Sequence, residues 1–253
     1  MKIDNPAFNY DQEGHNYSHY RRTDERVAAY VHKALGDSKT VLNVGAGGGS
    51  YEPADRYVIS VEPSSTMRAQ RAANNKLPAI IGKADTLPFD DNAFDASMAI
   101  ATIHHWPEID KGLKEMRRVT KGPVVVMTFD PDALDEFWNV DYFPEVIDAE
   151  KQRYPKISHV VEYLGGNCEV VKVPVPLDCV DGFQEAFYGR PEAFLQKEVR
   201  QAQSAWSFVS EEVEARCVQA LADDLASGEW DRKYGHFRTM TEWLGTIRII
   251  IAR

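Results

Sequence analysis

With 253 residues, 43% of them hydrophobic and 27% charged, the chain holds enough apolar material for one sizeable core and reads as a globular protein. Its net charge of −10, with no block of Lys or Arg to offset it, disfavours nucleic acid as a partner. No apolar stretch approaches a membrane span, and Met1 to Pro6 lacks a secretory hydrophobic region, so the expected location is cytoplasmic, away from membranes.

Residues 9 to 34 carry Tyr10, Tyr17, Tyr20, Arg21 and Arg22, followed by a helical segment from Glu25 to Leu35 that Gly36 stops. Short apolar runs then predict strands near 40–45, 57–62, 79–81, 95–100 and 123–129, with helices between them. Such alternation implies an α/β fold with a parallel sheet and right-handed crossovers. Beyond Asp130-Pro131 the rhythm breaks. Residues 132–164 look helical and aromatic, a strand is expected near 168–175, and 181–244 reads mainly as helix, including Glu211 to Ala226. The closing Thr246 to Ala252 run is β-branched and strand-like. The three cysteines, Cys168, Cys179 and Cys217, are scattered without a C-x-x-C pair; they suit reduced, packed thiols better than a thiolate cage.

The apolar run Val41 to Val44 enters four glycines within five residues, Gly45, Gly47, Gly48 and Gly49. The following strand, Tyr57 to Val61, ends in Glu62. Strand, glycine turn, second strand and terminal carboxylate form the layout of a nucleoside-binding unit, in which the carboxylate accepts hydrogen bonds from a ribose diol. A dinucleotide fingerprint would place its third glycine at position 50, which is Ser50; the pattern present is G-x-G-x-G.

This pattern resembles motif I of the class I S-adenosylmethionine-dependent methyltransferases. Ala84-Asp85-Thr86-Leu87-Pro88-Phe89, Asp91 to Asp95 leading into Ala96 to Ile100, Ala101 to Trp106, Gly112 to Val119 and Pro123 to Phe129 are similar, in order, to further segments of that family. The likeness covers about residues 15–130, and the sub-type resembled is the type 11 small-molecule group. It implies a doubly wound, Rossmann-like, seven-stranded sheet whose last two strands are antiparallel. About 65 residues would separate those strands here, too many for a structureless loop, so a helical cap is expected over the active-site mouth. The expected organisation is an N-terminal helical segment over the cofactor (1–35), an α/β core (36–131), a cap (132–164 and 181–244) and the last strands of the sheet (165–180 and 245–253).

The resemblance further implies S-adenosylmethionine as cofactor. Gly45, Ala46, Gly47 and Gly49 would form its main-chain platform, and Glu62 would hold the ribose. Asp85, between Ala84 and Thr86, would meet the adenine amino group, with Met67 behind Pro63-Ser64 packing on the adenine face. Arg21 or Arg22 would suit the methionine carboxylate, Tyr17 or Tyr20 would line that end, and Ala101 would flank it. Asn43 departs from the family, where an acidic residue is common; an amide hydrogen-bonds but cannot neutralise an ammonium group.

Methyl transfer from a sulfonium requires mainly near-attack positioning, and a base only for an acceptor not yet nucleophilic. His104 and His105 are the candidate bases, with pocket shaping as the alternative, and no metal site is expected from them. Phe183, Phe187, Tyr188, Trp206 and Phe208 are candidates for an aromatic lid, or for ordinary packing. The expected function is methyl transfer to a small-molecule acceptor. The alternatives are a nicotinamide-dependent oxidoreductase, motivated by the same Glu62, and a non-catalytic nucleoside-binding regulator. The acceptor's identity and the oligomeric state are not encoded in any motif.

Overall fold

The computed structural model describes residues 20–253; Tyr10 and Tyr17 lie outside the described residues. Helix α1 (Glu25–Leu35) starts where the Asp24 carboxylate accepts the Arg26 N–H at 3.1 Å and stops at Gly36, whose φ of +58° suits glycine. Its apolar stripe, Val27, Val31 and Leu35 among it, is buried against the sheet. The core continues through β1 (Thr40–Val44), β2 (Tyr57–Val61), α2 (Ser65–Ala73), β3 (Ala96–Ile100), α3 (Ile109–Arg118) and β4 (Val124–Phe129). The remainder comprises α4 (Asn139–Tyr142), α5 (Pro144–Arg153), α6 (Ile157–Tyr163), β5 (Cys168–Lys172), β6 (Val175–Pro176), α7 (Lys197–Gln201), α8 (Glu211–Ser227), α9 (Glu229–Tyr234), β7 (Glu242–Trp243) and β8 (Ile247–Ala252).

Six strands form the main sheet in the order β2-β1-β3-β4-β8-β5. The first four are parallel, and β8 runs antiparallel between β4 and β5, with Ile250 opposite both Val126 and Val170. Every residue of β8 is buried, as a β-branched run covered on both faces should be. The expected seventh strand at 79–81 is a single parallel bridge, Ile80 to Val61. It lies outside β2, where Ile80 and Ile81 stay exposed and no further strand supports them. Residues β6 and β7 pair separately as a short ribbon.

The chain passes from β1 outward to β2 and then back across to β3. The order therefore reverses between β1 and β3, the place where α/β sheets open a ligand crevice. One sheet face carries α1 and the second carries α3 and α6, with Leu113, Met116 and Val160 packed on Val124, Val126 and Ile250. Helix α6 thus covers the sheet, although its sequence lies inside the stretch expected to cap the mouth.

The insertion around residues 131–153 and 181–243 condenses on aromatic rings rather than on long helices. Much of it is single turns of 3₁₀ helix, with α8 as its one long helix among the described residues. Trp138 stands edge-on to Trp230 at 5.4 Å and donates its Nε1–H to the Tyr188 carbonyl at 2.8 Å, while Phe143 meets Trp206 at 4.9 Å. Tyr188 and Trp206 are therefore packing residues, Phe187 rests on Phe194, and Phe208 lies against the Arg153 guanidinium. Of the five candidate lid aromatics, Phe183 faces a cavity.

A buried ionic knot braces β1, β2 and the turn that follows β1. Arg71 of α2, 1% exposed, donates to both Glu52 carboxylate oxygens at 3.0 and 3.1 Å and to the Leu77 carbonyl at 2.7 Å. Asn43 of β1 and Ser60 of β2 donate to the same Glu52 Oε1. Breaking one partner of such a pair strands a buried charge, at a cost of about 3–5 kcal/mol. Arg71→Ala should lower the unfolding free energy from urea denaturation by about that amount. Arg232→Ala, which breaks a surface pair with Glu229, should change it by less than about 1 kcal/mol. Equal effects from the two substitutions would contradict a structural role for the knot.

Candidate functional site

The turn after β1 is built by backbone geometry that side chains would obstruct. Gly45 and Ala46 both donate their N–H to the Val61 carbonyl, at 2.9 and 3.0 Å, so the turn is clamped onto the end of β2. Gly45 holds φ at +68°, and a Cβ there would lie 2.3 Å from Thr102 Oγ1 in the loop after β3. Gly47, at φ +50°, leaves room beside the Met67 methyl. The turn and the loop after β3 thereby face each other across the switch point.

Glu62 closes the arrangement. Its Oε2 accepts the Gly47 N–H and its Oε1 accepts the Ser64 N–H, both at 2.8 Å. One carboxylate fixes both the glycine turn and the start of α2, and each oxygen keeps a further lone pair. The group is 6% exposed, and burial raises its pKa above the ordinary carboxylate value, opposed by the two backbone N–H groups.

These groups line a cavity of ≈ 510 Å³. Arg21, Gly45, Ala46, Gly47, Glu62, Pro63, Ser64, Met67, Ala84, Asp85, Ala101 and His105 all border it, so most of the residues singled out by sequence converge. Tyr20, Gly49, Thr86 and His104 do not. Tyr20 offers its carbonyl to the Gly182 N–H at 2.9 Å, Gly49 lies behind the turn against Lys76 and Arg71, and Thr86 is exposed. Arg22 is exposed as well.

The structure adds a lining residue that no motif announces, Asp181, and shows what Asn43 and Trp106 do. Asp181, from the insertion, accepts the Arg21 Nε–H at 2.6 Å and the Tyr51 hydroxyl at 2.7 Å. Asn43 donates its amide N–H to Glu52, which leaves its buried Oδ1 without a partner at the cavity wall. Trp106 packs against Gly112, where a Cβ would come 2.5 Å from the indole. Asn43 Oδ1, Glu62 and Asp85 are three acceptors spread along one cavity, and they fit a ligand with an ammonium group, a ribose diol and an exocyclic amine.

A second, smaller cavity of ≈ 30 Å³ adjoins the first, and Arg21, Ala101 and His105 border both. Ala101 stands at the junction with φ +48°, a left-handed conformation that costs an alanine about 1–2 kcal/mol. His104 borders the inner cavity, its ring 3.9 Å from that of His105 and 4.6 Å from Tyr154. Burial drives the His104 pKa well below its ordinary value and takes His105 down to about 3, with Arg153 adding to both. Arg153 approaches His105 Nδ1 at 3.3 Å, and a guanidinium only donates, so the imidazole proton resides on Nε2. His105 is thereby a neutral hydrogen-bond donor, poorly suited to accept a proton near neutral pH.

The inner cavity carries carboxyls that sequence reasoning missed, Glu150 of α5 and Glu185, together with Gln184, Gln203 and Thr246. Burial pushes Glu150 and Glu185 each up to about 7. The cysteines are dispersed over β5, the segment before Asp181 and α8, and both Cys179 and Cys217 are buried.

Comparison with known proteins shows what this geometry is similar to. Residues 42–128 match the Methyltransf_11 family, a methyltransferase domain. A crystal structure from Anabaena variabilis ATCC 29413, a candidate methyltransferase from an antibiotic biosynthesis pathway, superposes with a TM-score of 0.84 at 28% identity, over 93% of this chain and all of that one. The tRNA (carboxymethyluridine(34)-5-O)-methyltransferase of Schizosaccharomyces pombe is 24% identical over 44% of this chain and 49% of its own length. The ubiquinone/menaquinone biosynthesis C-methyltransferase UbiE of Rhizobium rhizogenes is 34% identical over 34% of this chain and 40% of its own. The chain thus spans less than half the length of either curated relative. Residues 42–128 thus carry a segment that matches a methyltransferase domain and is similar to the class I S-adenosylmethionine-dependent methyltransferases of the type 11 group.

Proposed function

We propose that the protein transfers a methyl group from S-adenosylmethionine to a small-molecule acceptor. The observation that carries this reading is Glu62, a buried carboxylate fixed by the Gly47 and Ser64 N–H groups at the wall of a ≈ 510 Å³ cavity. When bound, S-adenosylmethionine supplies a methyl carbon already activated for displacement by its sulfonium. Glu62 would accept the ribose hydroxyls, Asp85 the adenine amino group, and Asn43 Oδ1 the ammonium. Met67 and Trp106 supply apolar walls, and Arg21, held by Asp181, lines the remaining end.

The work left to the protein is orientation and exclusion of water. The insertion provides both, since Asp181, Glu185 and Gln203 reach the site from it. His104 and His105, held neutral by burial, line the inner cavity, and His105 borders the larger one as well. A small acceptor is favoured by the small inner cavity and by the overall charge of −10, which repels a phosphate backbone. The S. pombe relative acts on tRNA by its name, so the alternative acceptor is a defined outcome of the test below.

Three results are expected. Glu62→Ala loses charge-assisted hydrogen bonds worth about 1.5–3 kcal/mol. Its S-adenosylhomocysteine affinity should fall roughly ten- to hundredfold by calorimetry, with the circular dichroism spectrum retained. His105→Ala should keep donor affinity and lose less than about a hundredfold in turnover, below the usual worth of a general base. A larger loss would restore proton transfer to the histidine. Incubation of cell extract with the enzyme and deuteromethyl-labelled donor should place label in a metabolite by mass spectrometry. Label confined to tRNA or protein would reverse the acceptor assignment.

A further inference from the structure

The inner cavity is more polar than packing requires. Glu185 Oε1 accepts the Thr246 N–H at 2.5 Å, but Glu185 Oε2 has no partner among the described residues. Gln203 Oε1 and Nε2, Gln184 Nε2 and Thr246 Oγ1 also lack partners among the described residues, and Glu185, Gln203, Gln184 and Thr246 are each at least nine-tenths buried. Neither Glu150 nor Glu185 forms an ion pair among the described residues. The nearby cations are engaged elsewhere: Arg21 with Asp181, Arg153 with Ser204 and His105, and Arg248 with Asp130. Two carboxyls line one cavity, each pushed up to about 7 by burial, with Arg153 and Arg21 opposing the rise at Glu150 and Arg248 at Glu185. A cation with N–H donors would answer both the carboxyl charge and the open amide and hydroxyl groups.

The size of the cavity narrows the answer. At ≈ 30 Å³ it admits one or two water-sized groups, so it can seat the head of a molecule and not its body. Phe129, Tyr154 and Phe183 form its apolar walls, and Phe129 lies 5.2 Å from Tyr154 and 5.8 Å from Phe183. Carboxyls at the end of an aromatic sleeve suit a compact cation with N–H donors. The head would enter through the junction at Ala101 and His105, which opens on the larger cavity.

We propose that this inner cavity is a specificity subsite for the amino head group of the acceptor, held by Glu185, Glu150 and Gln203, while the acceptor's body lies in the larger cavity beside the donor. The inference rests on the donor-site reading above. It assigns the acceptor a chemical class, an amine-bearing small molecule, and leaves open which of its atoms is methylated.

Three probes of one shape and different heads test it: benzylamine, benzyl alcohol and benzoate, titrated calorimetrically into the full chain with and without saturating S-adenosylhomocysteine. Benzylamine should bind at least about tenfold more tightly than benzyl alcohol, with benzoate weakest. In Glu185→Gln the preference for the amine over the alcohol should fall to less than about threefold, while S-adenosylhomocysteine affinity stays within about twofold of the parent. Gln203→Leu removes an amide that bonds to no described residue, and it should weaken benzylamine by at least about threefold; it carries the comparison if Glu185→Gln does not fold. Equal binding of amine and alcohol, a preference for benzoate, or an amine preference that survives both substitutions would overturn the subsite. Loss of S-adenosylhomocysteine binding in the parent protein, with the amine preference intact, would instead overturn the donor site.

Discussion

A single carboxylate organises the site. Glu62 ends β2, yet its two oxygens hold the N–H of Gly47 from the turn after β1 and the N–H of Ser64 at the start of α2. Three separate segments are thereby set relative to one another by hydrogen bonds within the protein. Burial works against the charge and raises the pKa of Glu62, and the two backbone donors oppose that rise. The ionic knot behind it, Glu52 with Arg71, Asn43 and Ser60, supports the same turn from the protein side. Asn43 belongs to both layers: its amide N–H anchors Glu52, and its Oδ1 is left for the cavity.

The α/β core and the insertion divide the chemistry between them. Everything assigned to the donor except Arg21 and Asp181 comes from the core, on loops at the carboxyl ends of β1, β2 and β3 and in the segment around Asp85. Nearly everything polar in the inner cavity, Glu150, Gln184, Glu185 and Gln203, comes from the insertion. That insertion is held together by edge-to-face aromatic contacts that bury apolar area without long helices, so its polar residues can point inward at a cost to stability that the rings offset.

The legible part of this protein is the part whose geometry is local in sequence. Gly45, Gly47 and Glu62 lie within eighteen residues and obey a strand–turn–strand spacing, so their convergence was readable from residue order alone. Asp181 was not readable, because its partner Arg21 lies 160 positions away and neither residue sits in a motif. Glu150 and Glu185 look like ordinary surface acids in an insertion with many of them; only burial separates them from their neighbours. Two elements misled for different reasons. Ile80-Ile81 has strand composition but sits at an outer edge with one bridging contact, and α6 lies among cap residues in sequence while packing on α3 and β8. The last strand was legible despite its distance, because five of the seven residues from Thr246 to Ala252 are β-branched, a composition that suits a strand buried on both faces.

The central claim, that the cavity around Glu62 is a site for S-adenosylmethionine and not for a nicotinamide dinucleotide, is tested most directly by parallel calorimetric titrations with S-adenosylhomocysteine and NADH. The turn has Ser50 where the dinucleotide fingerprint requires glycine. Saturable one-to-one binding of S-adenosylhomocysteine, with no heat from NADH at the same concentration, is the predicted result. Tight binding of NADH without binding of S-adenosylhomocysteine would contradict it.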